Sequence, residues 1–238
     1  MVNYLYKEEF SIRNSDFSFK DEIKPQSVLE IMEEIAGRHA ERLGCGYLAF
    51  KEKRQAWVCV RTRIEFYNDL INGQNGIVET YPCPKGKIDF DRCYEIKRLD
   101  GTSCVKAITK WVVINYDTRR IERSSNVAFP NDCTGEPIIE IPKKVIIGED
   151  VCLNNSISFT TSLNDLDHNG HVNNCRYLGY VYNTFSTNDA KIKSLECEYI
   201  KELKPFEEAT LKFDDKKENY QIYNSNNELS FSLRIVWR

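Results

Sequence analysis

Ser27-Val28-Leu29-Glu30-Ile31-Met32-Glu33-Glu34-Ile35-Ala36-Gly37-Arg38-His39-Ala40-Glu41-Arg42-Leu43-Gly44 carries its apolar side chains at helical spacing. Val28, Ile31, Met32, Ile35, Ala36, the half-polar His39 and Leu43 share one face, which predicts an amphipathic helix. Ser27 and Glu30 fit a capping box, with Pro25 just before it, and Gly44 and Gly46 supply the stop. The helix is expected over about 27–43. Beyond Gly46 the period changes. Ala56–Phe66, Gly76–Cys83, Lys87–Lys97 and Ser103–Tyr116 read as strands, the first setting Trp57, Cys59, Arg61 and Arg63 against Val58, Val60, Thr62 and Ile64. Asn72-Gly73, Asn75-Gly76, Pro84-Lys85-Gly86 and Asp100-Gly101 punctuate them, the last a hairpin signal. The segment therefore opens a unit of one helix and a run of antiparallel strands.

From Ser124 to Asp150 the periodicity dissolves into Ser, Asn, Pro and Gly. A loop of that length inside one compact domain is unusual, so it reads as a linker. The order then repeats. A strand at Ser156–Ser162 leads through a polar loop into a helix over about Val172–Phe185, with Tyr177, Leu178, Val181 and Phe185 on one face. Strands at Ile192–Leu203, Glu208–Phe213, Glu218–Tyr223 and Leu229–Trp237 close the second half. The repeat is one of element order, with little residue identity. The expected organisation is a unit at 1–125, a linker at 126–150 and a unit at 151–238. A helix cradled in a curved antiparallel sheet buries both apolar faces, and two such units could share one sheet.

Composition narrows the function classes. The 238 residues hold 33 basic and 36 acidic side chains, a net charge of −3, with 41% hydrophobic residues. That balance excludes a disordered or collagen-like chain and disfavours a protein that tracks a phosphate backbone, so no nucleic-acid partner is expected. Apolar runs such as Trp111-Val112-Val113-Ile114 are strand-sized, far below the ~20 residues of a membrane span. The start of the chain has no basic segment leading into an apolar core. The nine cysteines are scattered, with no C-x-x-C. They read as reduced thiols of a cytoplasmic protein.

The chemistry concentrates in Asn164-Asp165-Leu166-Asp167-His168-Asn169-Gly170-His171-Val172-Asn173-Asn174, which holds two of the three histidines. Gly170 permits a left-handed turn, and the loop opens into a helix whose first amides lack internal partners. Imidazole, amide and carboxylate groups around such amides suit a developing oxyanion. Asn164 and Asp165 read as turn and cap formers. The set Asp167-x-Asn169-x-His171 exceeds what a cap requires. Two other readings stand beside it. Asp167, His168 and His171 offer up to three metal ligands, but no further His or paired Cys stands nearby, so no metal is assigned. Cys175, one turn after His171, invites a thiol nucleophile, although single cysteines are more often small buried hydrophobes. No cofactor is assigned.

Asp165–Gly179 resembles the D-L-D-x-N-x-H-V-N-N-x-x-Y-x-G signature of the acyl-ACP thioesterases. Leu29–Gly46 is similar to that family's first long helix, and Trp57–Glu65 to its W-V-x-x-R-x-x-I-E strand. Glu79–Pro82, Trp111 and Thr118-Arg119-Arg120 are similar to its T-Y-P and W-x-x-x-D-x-x-T-R-R region. The resemblance implies an α+β double hot-dog fold, two helix-in-sheet units in one chain, and hydrolysis of fatty acyl-ACP thioesters. It implies catalytic roles for Asp167, Asn169, His171 and, through the strand Leu195–Leu203, Glu202. Many plant members carry a cysteine one residue later, where this chain has Leu203. Leucine cannot be a nucleophile, so a Cys–His–Asn mechanism is not expected, and the reading is hydrolysis by a water that Glu202 deprotonates or orients.

In that reading Asn169 donates to the thioester carbonyl oxygen, His171 bonds Glu202 or the water, and Asp167 orients the loop. The N-terminal unit has no His or Asn in Ser18–Pro25, so it is expected to bind the acyl chain without a catalytic set, and His39 to be a packed core residue. The implied partner is acidic acyl carrier protein, with Arg119, Arg120, Arg123, Lys143 and Lys144 as candidate contacts. The expected oligomeric state is monomer or homodimer. An acyl-CoA thioesterase, a non-catalytic acyl-thioester binder and a hydratase are the competing readings.

Overall fold

The structure is a computed structural model that describes residues 4–130, 134–167 and 170–238. The chain forms two compact units, Met1–Pro142 and Lys143–Arg238.

In the N-terminal unit, the long helix α1 spans Pro25–Arg42. It starts two residues before the expected position, because Pro25 takes the first helical place and Lys24 is the cap residue. Proline suits that place, where its missing N–H loses nothing. Ser27, expected as the cap, is instead buried in the first turn. The stop is as expected. Gly44 has φ 71°, its amide donates to the Glu41 carbonyl at 3.0 Å, and the Cys45 amide donates to the Ala40 carbonyl at 3.0 Å. Those two bonds satisfy the last carbonyls of the helix. Val28, Leu29, Met32, Ile35, Ala36 and His39 are all buried on one face.

A short helix, α2 (Tyr47–Glu52), comes next, unforeseen in the periodicity. The strands are β1 (Tyr6–Ser11), β2 (Gln55–Phe66), β3 (Asn75–Pro82), β4 (Asp89–Arg98) and β5 (Ser103–Asn115). All pairs are antiparallel, in the order β1-β3-β4-β5-β2, and α1 packs against β3. The alternation expected of β2 is broken by a bulge between Cys59 and Arg61. Before it Cys59 is buried and Trp57 packs into the core; after it Thr62 and Ile64 are fully buried. An extra residue flips the side-chain phase. Odd positions therefore face inward first, and even positions after.

The segment after β5 has little regular structure, yet much of it is packed. The Ser124 amide and hydroxyl donate to the Lys87 and Gly86 carbonyls at 3.0 and 2.7 Å. Val127 and Phe129 join Phe50, Trp57 and Phe90 in one cluster. Ile138 and Ile139 cover Cys83, Cys93 and Ile108.

The C-terminal unit repeats the plan. Its strands are β6 (Asn155–Thr160), β7 (Ile192–Tyr199), β8 (Glu208–Phe213), β9 (Asn219–Tyr223) and β10 (Leu229–Trp237), in the order β7-β10-β9-β8-β6. Taken in sequence, each strand has a counterpart in the first unit. The helix α3 is Asn174–Tyr182, shorter than expected. Val172 pairs across the loop with Leu166, and Asn173 caps the helix by accepting from the Cys175 amide at 2.7 Å. Tyr177 packs on Tyr199 and Phe231 with ring centroids 5.6 and 5.3 Å away.

Among the described residues no helix is long and apolar enough to cross a membrane. The eight described cysteines are all free, and seven are buried, Cys152 being exposed.

Candidate active site

The polar loop begins with a 3-10 turn, Leu163–Asp165. Asp165 is 5% exposed and accepts the Ser162 amide at 2.6 Å, its hydroxyl at 2.7 Å and Arg176 Nε at 3.0 Å. Burial opposes its ionisation, but the Ser162 bonds and the Arg176 guanidinium outweigh it and hold the carboxyl below its usual range. This is the structural cap expected from the sequence. The Asp165 carbonyl then accepts the Asn173 amide at 2.8 Å, closing the loop at the helix cap.

Asp167 ties the middle of the loop. Its amide donates to the His171 carbonyl at 2.8 Å, and its Oδ1 accepts the His171 amide at 3.0 Å. Gly170, at φ 79°, donates to the Asp167 carbonyl at 3.0 Å. The carboxylate therefore sets the course of the backbone that carries His171. Asn169 and His168 lie outside the described residues.

His171 Nε2 stands 3.6 Å from Glu202 Oε2, with the two side chains 40% and 47% exposed. The separation is beyond a direct hydrogen bond and leaves the pair open to solvent, a geometry in which a water can bridge. Glu202 is not on a strand, contrary to expectation. β7 ends at Tyr199, where the Ile200 and Lys201 amides both turn onto the Ser230 carbonyl at 2.9 and 3.1 Å. The chain leaves the sheet there, and Glu202 is carried to His171 on the segment beyond. The Leu203 amide donates to the Tyr177 hydroxyl at 2.9 Å, a contact that no sequence spacing indicated.

The helix amides are largely committed. Cys175 N–H goes to Asn173 Oδ1 and Arg176 N–H to the Asn173 carbonyl at 2.9 Å. Cys175 itself is 2% exposed, in keeping with a core role. Among the described residues no group of three or more His, Cys, Asp or Glu is placed to hold a metal.

The N-terminal unit contains the same loop with different chemistry. Its 3-10 turn is Asn14–Asp16, where Asp16 accepts the Arg13 amide at 2.8 Å and Arg13 Nη2 at 2.7 Å. The Asp16 carbonyl accepts the Lys24 amide at 2.8 Å, the Ser18 amide donates to the Glu22 carbonyl at 2.8 Å, and the Asp21 amide donates to the Ser18 carbonyl at 3.0 Å. Phe17 bridges to Ile23 as Leu166 does to Val172. Asp21 adopts φ 55° in the place of Gly170. After β2, the Tyr67 and Asn68 amides both donate to the Cys104 carbonyl at 2.8 and 3.4 Å, matching Ile200, Lys201 and Ser230. In this correspondence Ser18 replaces Asp167, Lys20 replaces Asn169, Glu22 replaces His171 and Asp69 replaces Glu202. An Asp followed by an apolar residue, with a second apolar residue seven positions after the Asp, is the shared signal in Asp16-Phe17/Ile23 and Asp165-Leu166/Val172. An open surface depression of about 560 Å³ lies here, lined by Asn14, Asp21, Leu70, Ile71, Asn72 and Gly73. It is at the loop without the histidine.

Two units, each with a helix that follows the same loop and five matching antiparallel strands, make this a double hot-dog protein, with a carboxylate–imidazole pair in the second unit. The bacterial acyl-ACP thioesterase from Bacteroides thetaiotaomicron has the same fold, at a TM-score of 0.88 and 21% identity, covering 99% of this chain and 98% of that one. The 12:0-ACP thioesterase from Umbellularia californica matches at 0.83 and 20% identity, over 100% and 98% of the two chains. The chain belongs to the acyl-ACP thioesterase family: residues 3–127 match its N-terminal domain and residues 149–238 its C-terminal domain. Among curated relatives, oleoyl-acyl carrier protein thioesterase 1 of Arabidopsis thaliana is 28% identical over 74% of this chain and 53% of its own length. A palmitoyl-acyl carrier protein thioesterase of Cuphea hookeriana is 26% identical over 74% and 46%. The chain spans about half the length of the curated relatives it matches.

Proposed function

We propose that this protein hydrolyses fatty acyl thioesters carried on acyl carrier protein, giving a free fatty acid and the carrier thiol. Family membership supports the reaction class, and the observation that carries the reading is the approach of His171 Nε2 to Glu202 Oε2 from two separate elements. A base within reach of an open, solvent-accessible position can activate water. In the proposed reaction, water adds to the thioester carbonyl carbon while Glu202 accepts its proton. The tetrahedral intermediate collapses with cleavage of the C–S bond. The proton passes through His171 to the leaving sulfur. Asp167 holds the His171 backbone. Asn169 is assigned the carbonyl oxygen by the family resemblance alone. In the whole chain, 1–125 accommodates the acyl chain, 126–150 links, and 151–238 performs the chemistry in the cytoplasm.

The test is thiol release across an acyl-chain series, each length presented on acyl carrier protein and on CoA. Higher kcat/KM on the carrier protein is expected. Release only from acyl-CoA favours the alternative carrier, and binding without release from either would reduce the protein to a sensor.

A further inference from the structure

Tyr177 stands on α3 four residues after the cap Asn173. Four residues after the cap Lys24, α1 has Val28. Both side chains are buried against their sheets, at 3% and 0% exposure. Tyr177 adds an aromatic ring and, at its end, a hydroxyl oxygen that Val28 lacks. That oxygen accepts the Leu203 amide at 2.9 Å, and Leu203 is itself 1% exposed. A buried amide that loses its acceptor is costly, so the bond pins the backbone rather than merely touching it. Burial pushes the phenol pKa well above its usual value, so the hydroxyl is neutral at any working pH. The ring packs in a three-ring cluster with Tyr199 and Phe231, which also touch each other at 5.3 Å between centroids.

Leu203 directly succeeds Glu202, and α3 directly succeeds the loop that carries His171. One helix thereby holds both halves of the pair, His171 through the cap and Glu202 through Tyr177. In the N-terminal unit, Leu70 takes the place of Leu203 and Val28 has no oxygen to offer. There the pair positions are Glu22 and Asp69.

We infer that Tyr177 is a positioning residue, whose hydroxyl fixes the Glu202 backbone and so sets the distance between Glu202 and His171. The inference rests on the proposed hydrolase function and adds a residue to it. Tyr177 touches no substrate in this scheme; it acts through Glu202.

Tyr177→Phe removes the oxygen alone. Its kcat is expected to fall about tenfold with KM unchanged, and the midpoint of the kcat–pH profile to move. Tyr220→Phe is the packing control: Tyr220 is fully buried in the same unit with its hydroxyl 3.5 Å from Thr184 Oγ1. It should lower Tm while kcat, KM and the pH midpoint hold. In the native protein the Leu203 amide should exchange with solvent as slowly as the strand amides, a measurement that needs no variant. Rapid exchange at Leu203, or wild-type kcat and pH midpoint in Tyr177→Phe, overturns the inference. Full turnover in Glu202→Ala, assayed alongside, would instead remove the assignment of Glu202 as the base, and absence of thiol release by the wild type would remove the hydrolase reading on which the inference stands.

Discussion

Asp16 and Asp165 occupy the same place in two loops of one shape, each carboxylate accepting the amide three residues before it and each carbonyl accepting the helix cap eight residues after it. The loop is thus a scaffold that folds with or without a histidine. Asp16 is 2% exposed and accepts both the amide and the guanidinium of Arg13, so Asp16→Ala removes the acceptor of the Arg13 amide and leaves the guanidinium only Glu30, 2.9 Å from Nη2. A loss of about 1–3 kcal/mol is expected in urea denaturation. The kcat of the folded fraction should stay at the wild-type level, because this loop carries no catalytic set.

Glu202→Ala should reduce turnover by roughly 10²-fold or more, with the far-UV circular dichroism spectrum unchanged. Half of the side chain is solvent-exposed, so its removal opens no cavity. Cys175→Ala separates the water mechanism from a thiol mechanism. With Cys175 buried at the start of α3, near wild-type kcat and a modest drop in Tm are expected. A collapse of kcat in that variant would restore the thiol.

His39 predicts a pH dependence of stability. Arg92 Nη1 donates to His39 Nδ1 at 3.0 Å, which leaves the ring proton on Nε2, and the ring stacks on Tyr6 at 5.3 Å. Burial first, then the charges of Arg92 and Arg42, depress its pKa to about 4. The unfolded chain titrates near 6.5, so below that pH the unfolded state binds the extra proton and stability falls as pH drops toward 4. The loss reaches up to about 3 kcal/mol. His39→Asn keeps an acceptor for Arg92 and removes the titration. Its stability at pH 4.5 relative to pH 7, measured by urea denaturation, should decline less than that of the wild type.

The carrier is tested by salt. Arg119, Arg120 and Arg123 are exposed, as are Lys143 and Lys144. An encounter steered by such charges toward an acidic carrier weakens as ionic strength rises. From 50 to 300 mM salt, kcat/KM on acyl-ACP is expected to fall several-fold while kcat at saturation holds. Arg119→Glu with Arg120→Glu should flatten that slope. An unchanged slope in the double variant places the docking surface elsewhere.

Most elements were legible because their causes are local. The α1 stripe, Gly44 in the left-handed region, and the β8 and β10 limits arise from spacing and turn chemistry that a few neighbouring residues dictate. The departures have causes farther off. The phase of β2 changes at a bulge whose position depends on pairing with Trp111 and Lys110 of β5. The end of β7 depends on the Ser230 carbonyl, thirty residues on. The stretch beyond β5 looks like a linker in composition, yet Ile138 and Ile139 bury the outer face of Cys83, Cys93 and Ile108. No local signal marks which apolar residues of an irregular segment will find a sheet.

The sequence by itself determined the repeated order of elements and the polar loop, and through the loop's signature the family. It also pointed to the second half for the candidate catalytic set, since Ser18–Pro25 holds no histidine. Only the tertiary structure decided that Asp16 and Asp165 close the same loop, that Glu202 lies off the strand beside His171, and that Tyr177 holds the Leu203 backbone. Capping and periodicity act over a few residues and are written in the chain. The meeting of His171 with Glu202, 31 positions apart, is set by how a helix packs on a sheet.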